Sequence, residues 1–232
     1  MVKEQLLAEE IVHFISQQLI EEFGASISSV DTIIQKPFII IHLLDFSFPT
    51  EETFFRRKEL EQIMRTRDLI MEGWKGDIRK KLTAIVGAAV EEVYVDWNLE
   101  NRTGMLIAIM EEKDKKDKKD RTMWQENEEK RKLKEKVLYI SRKTEKTPDE
   151  IEIYRLNDYI LLIERLGIMV DIEKELVKNG AVKELRVAKR PLEHRLMDSL
   201  NEESVLEKKV GELFVDWDFA KDKAFMVLVL EK

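Results

Sequence analysis

The sequence predicts an α+β protein built from two homologous domains, each running roughly α-β-β-α-α-β-β with an antiparallel sheet packed on helices. Three observations predict it. Val90-Glu91-Glu92-Val93-Tyr94-Val95-Asp96-Trp97-Asn98 returns 120 positions later, without a gap, as Val210-Gly211-Glu212-Leu213-Phe214-Val215-Asp216-Trp217-Asp218. A period of that size is one small domain, longer than any solenoid repeat. Within each copy, helical periodicity gives way twice to paired runs of β-formers, and the last run of each copy, 105–110 and 225–230, is apolar at every position. Such a strand is expected to be covered on both faces, by helices on one and by the other repeat or a partner on the other.

Each element follows from local pattern. Leu7, Ile11, Phe14, Ile15, Leu19, Ile20 and Phe23 recur at three- and four-residue steps, which predicts an amphipathic helix over 3–23 that Gly24 stops. The β-rich runs 26–35 and 38–45 flank Lys36-Pro37 and read as a hairpin. Thr50 is a candidate N-cap for a helix through Leu60, Ile63, Met64 and Ile70; Gly73 and Gly76 interrupt it, and a further helix occupies 77–86. Strands 91–98 and 103–111 complete the copy. The second copy repeats the order, with a helix over 127–143, strands 150–156 and 158–165, helices 170–178 and 192–208, and strands 212–219 and 223–231. The domains are therefore read as 1–112 and 127–232. Between them, 113–126 begins with five Lys, three Asp and an Arg and almost no apolar residue, the composition of a charged linker. Along the repeated strand Val93, Val95, Trp97 and Leu99 share one face, as do Leu213, Val215, Trp217 and Phe219, so that face is core in both copies.

Bulk properties narrow the function classes. The formal net charge of −7 argues against a surface that grips nucleic acid through many phosphates. There is no cysteine, which removes disulfides, thiolate metal sites and cysteine nucleophiles. Glu4, Glu9 and Glu10 break up the first residues, so no signal peptide is read there, and no apolar run approaches the ~20 residues of a membrane span. A cytoplasmic protein is expected.

No catalytic group, metal site or cofactor motif emerges. His13, His42 and His194 have no shared spacing, and His42 reads as a core residue. Glycine-rich nucleotide loops and nucleophile elbows are missing. Asp96 with Asn98, and Asp216 with Asp218, lie two apart on a strand, where they can hold a cation or, more simply, organise the following hairpin turn. Together with Trp97 and Trp217 these aspartates define the repeat. Arg56, Arg57, Lys58, Arg65 and Arg67 form a basic run on the first copy's long helix; Lys183, Arg186, Lys189, Arg190 and Arg195 stand comparably in the second. That recurrence marks Arg56, Arg57, Arg65, Arg67, Arg186 and Arg190 as a candidate surface for a protein partner or an anion, or else a solvated face balanced by neighbouring glutamates.

The pattern resembles the MpsC-like bacterial family, the third component of a membrane-potential-generating system linked to inorganic carbon supply, present here as two tandem copies. Gly24 and Pro148 stand where the family's Gly-x-Gly-Pro turn would lie, although neither copy has the whole turn. Pro49-Thr50-Glu51-Glu52 and Val170-Asp171-Ile172-Glu173 match its helix start. Asp96 with Ile107-Ala108-Ile109-Met110-Glu111, and Asp216 with Val227-Leu228-Val229-Leu230-Glu231, match its ending. The resemblance implies a non-enzymatic accessory or regulatory protein that binds a protein partner beside an ion-coupled or inorganic-carbon membrane transport system. A different class of function is a small-molecule or anion sensor with a ligand between the repeats; an enzyme using Asp96 and Asp216 is a third. If single-copy relatives pair through their sheets, the chain is expected to satisfy that pairing internally and be a monomer.

Overall fold

Each half of the chain forms a four-stranded antiparallel sheet with helices against one face, in a computed structural model that describes residues 2–111, 124–144, 146–195, 200–201 and 205–231. The chain divides into two compact units between residues 121 and 122. In the first unit, helix α1 (Val2–Phe23) leads to β1 (Ser29–Gln35) and β2 (Phe38–Leu44), then α2 (Glu51–Arg57), α3 (Leu60–Val86), β3 (Val90–Asn98) and β4 (Thr103–Met110). The second unit has α4 (Glu128–Thr144), β5 (Glu150–Arg155), β6 (Ile160–Leu166), α5 (Asp171–Lys178), α6 (Val182–His194), β7 (Val210–Asp218), a single 3-10 turn and β8 (Lys223–Leu230). The sheet orders are β1-β2-β4-β3 and β5-β6-β8-β7. The predicted α+β architecture of two similar halves is the architecture found.

The likeness extends to irregularities. Both outer strands carry a register shift at the same place, between Val90 and Glu92 and between Val210 and Glu212. Asn98 and Asp218 organise the following turns, each accepting a backbone N–H three residues on, from Asn101 and Lys221. Arg102 and Asp222 then take a left-handed conformation at φ 53° and 51°. The turn role of Asn98 and Asp218 is thus observed, while the aspartates two residues earlier turn elsewhere.

Each core lies between one sheet face and its helices. In the first unit Ile11, Ile15 and Leu19 of α1 and Met71, Trp74, Ile78 and Leu82 of α3 meet Ile39, Ile41, Val95, Trp97 and Leu106. In the second, Leu133, Val137 and Ile140 of α4 meet Ile151, Ile163, Val215, Trp217 and Met226. Every residue of β4 is buried, as the unbroken apolar run requires, and β8 is buried at six of its eight positions.

Three boundaries differ from expectation. Gly73 and Gly76 do not interrupt α3, which runs through both; buried Met71, Trp74 and Ile78 hold its inner face on the core. The break comes earlier, at Lys58, which ends α2 in the left-handed conformation with its N–H returned to Phe54 and Phe55 carbonyls. Thr50 occupies the N-cap position without a side-chain cap bond; the Glu51 carboxylate accepts the Phe48 N–H instead. In the second unit a helix that the sequence did not suggest occupies Val182–His194, with Pro191 inside it. Of the helix expected over 192–208, residues 192–194 and 200–201 are helical and 205–208 are not, while 196–199 and 202–204 fall outside the described residues. So do residue 112 and most of the expected linker, 113–123. Its end is not featureless, because Trp124 is buried in the second core and its carbonyl accepts the Lys130 ammonium at 2.9 Å.

Candidate functional site

A buried carboxylate and a buried cation stand at the same place in both units. Glu51, in the first turn of α2, receives Arg67 of α3 through two hydrogen bonds, Nε to Oε1 at 2.7 Å and Nη2 to Oε2 at 2.8 Å. The pair is bidentate, the geometry in which a guanidinium gives most. Both side chains are essentially inaccessible, at 0% and 1% exposure. Glu51 Oε2 also accepts the Phe48 N–H at 3.0 Å. In the second unit Glu173 takes the Lys189 ammonium at 2.8 Å and the Val170 N–H at 3.1 Å. The spacings agree, with three residues from amide to carboxylate and sixteen from carboxylate to cation. The carboxylate thus joins the first turn of its own helix, and the loop just ahead of it, to the helix that follows, and the true match of the helix starts is Glu51 to Glu173, one place from the correspondence read in the sequence.

Around this shared bridge the units diverge in compensated ways. Arg67 lies against two aromatic rings, 4.8 Å from the Phe46 centroid and 4.9 Å from that of Trp97, and these rings stack at 5.0 Å. The Trp97 ring lies over Gly104, its cross-strand partner; a Cβ there would sit 2.5 Å from ring carbons. The second unit has Ala224 in that position, and Trp217 stacks on Phe219 instead, at 5.8 Å and 6°. Arg186, one turn before Lys189, lies over both of those rings, pairs with Asp216 and donates to the Trp217 carbonyl at 3.1 Å. Further along α6, Glu193 accepts from Arg165 of β6 at 2.8 Å with both side chains fully buried. The residues 122 positions earlier, Met71 and Leu43, are an apolar pair in the first core.

These contacts sort the candidate residues. Arg56 and Arg57, in the last turn of α2, are exposed, as is Arg65 on α3. Arg56 is hydrogen-bonded to Glu52 at 2.6 Å, which holds that carboxyl below its ordinary range, and Arg65 is bonded to Glu61. Arg67 is not on the surface: its guanidinium is consumed by Glu51 and the aromatic stack. Arg186 and Arg190 also turn inward, Arg190 being 6% exposed. The basic tract is therefore a continuous surface in neither copy, because helical spacing alternates its charges between solvent and the core. Asp96 and Asp216 are buried, at 2% and 1%, so neither forms an open carboxylate site with its i+2 neighbour. Trp97 and Trp217 lie in the two cores. His42 is partly buried on β2 and His13 is exposed on α1. No group of three or more metal-ligating side chains occurs among the described residues.

Sequence reasoning missed Glu51 and Glu173 as buried anchors, missed Arg165, and read Glu193 only as a glutamate balancing a solvated basic face, where the structure buries it. A signal existed for the first two, since both stand sixteen residues before a cation in register with the repeat. For the second pair there was none, because their counterparts in the first unit are apolar.

Fold and geometry define a two-unit α+β protein whose halves share one helix-to-helix bridge. The family model described as Na+-translocating membrane potential-generating system (MpsC) matches residues 3–112, which is the first unit. The expected second copy lies beyond that match, and its likeness to the first rests on shared topology, bulges and bridge. No curated protein and no solved structure matches the chain. No helix among the described residues is long and apolar enough to cross a membrane.

Proposed function

We propose that this protein is a non-enzymatic accessory component that binds a protein partner at a Na+-translocating membrane-potential-generating system, from its cytoplasmic side. The observation that carries the reading is the match of residues 3–112 to that family. The contact face we assign is the exposed basic end of α2, Arg56 and Arg57 with Lys58, continued by Arg65. It is supported by subtraction, since Arg67, Arg186 and Arg190 are built into the interior and the solvent-facing arginines are what remain of the candidate surface. A charge-complementary acidic patch on the partner fits such a face.

The test is co-purification of tagged protein from detergent-solubilised membranes of its source, quantified against a tag-only control. Enrichment of an ion-transport subunit by the wild-type chain, reduced by R56E/R57E with an unchanged melting temperature, is the expected result. A wild-type bait that recovers no membrane component would overturn the reading.

A further inference from the structure

Helix α6 docks on its unit through three ion pairs where α3 docks through one, Arg67–Glu51, and otherwise through hydrocarbon. The inward residues Arg186, Lys189 and Glu193 are spaced three and four apart and so lie along one helix face. Each meets an opposite charge on a different element: Arg186 meets Asp216 of β7, Lys189 meets Glu173 of α5, and Glu193 meets Arg165 of β6. The buried residues of α6 are Leu185, Lys189, Arg190 and Glu193, of which one is apolar. Over the corresponding stretch of α3 they are Ile63, Arg67 and Met71, and the counterpart of Arg186 is Met64.

The difference matters for opening. An apolar face is held to the core by a solvent-driven force that water cannot replace when it separates. A buried ion pair is attracted in a medium of low polarity, but both charges regain their hydration on separation, and the two effects nearly cancel. Two features weaken the helix itself: Pro191 removes one rung of the backbone ladder, and Ala181 at the N-cap offers no side-chain cap.

We propose that α6 is a releasable strap, a segment that detaches from the second unit's sheet as a whole, while β6, β7 and β8 stay paired, and so uncovers the Trp217–Phe219 stack beneath Arg186. The three ion pairs fix its register when it is docked; they hold it less firmly than the apolar face holds α3.

Hydrogen exchange on the full chain, read by mass spectrometry of peptides within 182–194, 60–72 and 223–230, tests this. The α6 amides are expected to exchange at least about tenfold faster than those of α3 and of β8, the signature of a local opening. The double substitution R165L/E193M installs the apolar pair of the first unit and is expected to slow α6 exchange by about tenfold, within the gain such replacements give. Glu193→Gln, which breaks one pair at constant volume, is expected to speed α6 exchange and leave α3 unchanged. Exchange of α6 in step with β8 in the wild-type chain would overturn the proposal. So would faster α6 exchange in a folded R165L/E193M protein.

Discussion

At Gly104 and Ala224 the two units differ by one methyl group beside a tryptophan, and the aromatic partners differ with it: Phe46 and Leu99 stand where the second unit has Ile168 and Phe219. Beside Gly104, Trp97 stacks on Phe46 and forms one wall of the Arg67 site; beside Ala224, Trp217 stacks on Phe219. Gly104→Ala drives a methyl into the Trp97 ring, and Leu43 Cδ1 crowds the same methyl position at 3.4 Å. An overpacking cost of about 1–3 kcal/mol is expected, read as a lowered denaturation midpoint with unchanged slope. Arg67 tests the same site from its charged end. Arg67→Met leaves the Glu51 carboxylate buried beside apolar groups, for an expected loss of about 3–5 kcal/mol. E51Q/R67M removes both charges and is expected to recover much of that loss. Equal destabilisation by the single and double variants would show that the ion pair is not what Arg67 contributes.

At the scale of the element, sequence pattern located most helices and strands and misplaced what lies between them. Alternation on 93–99 and 213–219 gave the core faces correctly, since strand periodicity leaves little choice once one face is buried. The break in α3 was misread because Gly73 and Gly76 lower helix propensity locally, whereas the decision was made by Met71, Trp74 and Ile78, which pack only in the tertiary fold. Neither glycine has another group within 4 Å of where a Cβ would stand. Gly73→Ala and Gly76→Ala are therefore expected to stabilise by about 0.5–1 kcal/mol each, measured by chemical denaturation. Destabilisation by both would mean that α3 bends or is interrupted there, as the sequence pattern alone implies.

At the scale of the whole molecule, the likeness of the two halves was legible because Val-Asp-Trp recurs in register, and the order of elements was read with it, though not the strand order β1-β2-β4-β3. The candidate site was legible only in part: composition and spacing mark a basic tract, but not that Arg67, Arg186 and Arg190 point inward while Arg56, Arg57 and Arg65 stay in water. That division depends on where Glu51, Asp216 and the aromatic rings arrive in space. The exposed charges have their own consequence for stability against pH. Arg56 lowers the Glu52 carboxyl and Lys132 lowers that of Glu128, so these pairs contribute fully above the unfolded carboxylate range and are lost as pH falls through the depressed folded values. Asp149 raises the Lys146 ammonium and Glu175 raises that of Lys178, so those pairs contribute fully below the unfolded lysine value and are lost as pH rises through the elevated folded ones. Between these limits all four pairs are complete, and each is a surface pair of small, salt-screened effect. A melting temperature that is level from about pH 6 to about pH 9 and falls in acid is expected. A melting temperature that changes within that window would overturn this account.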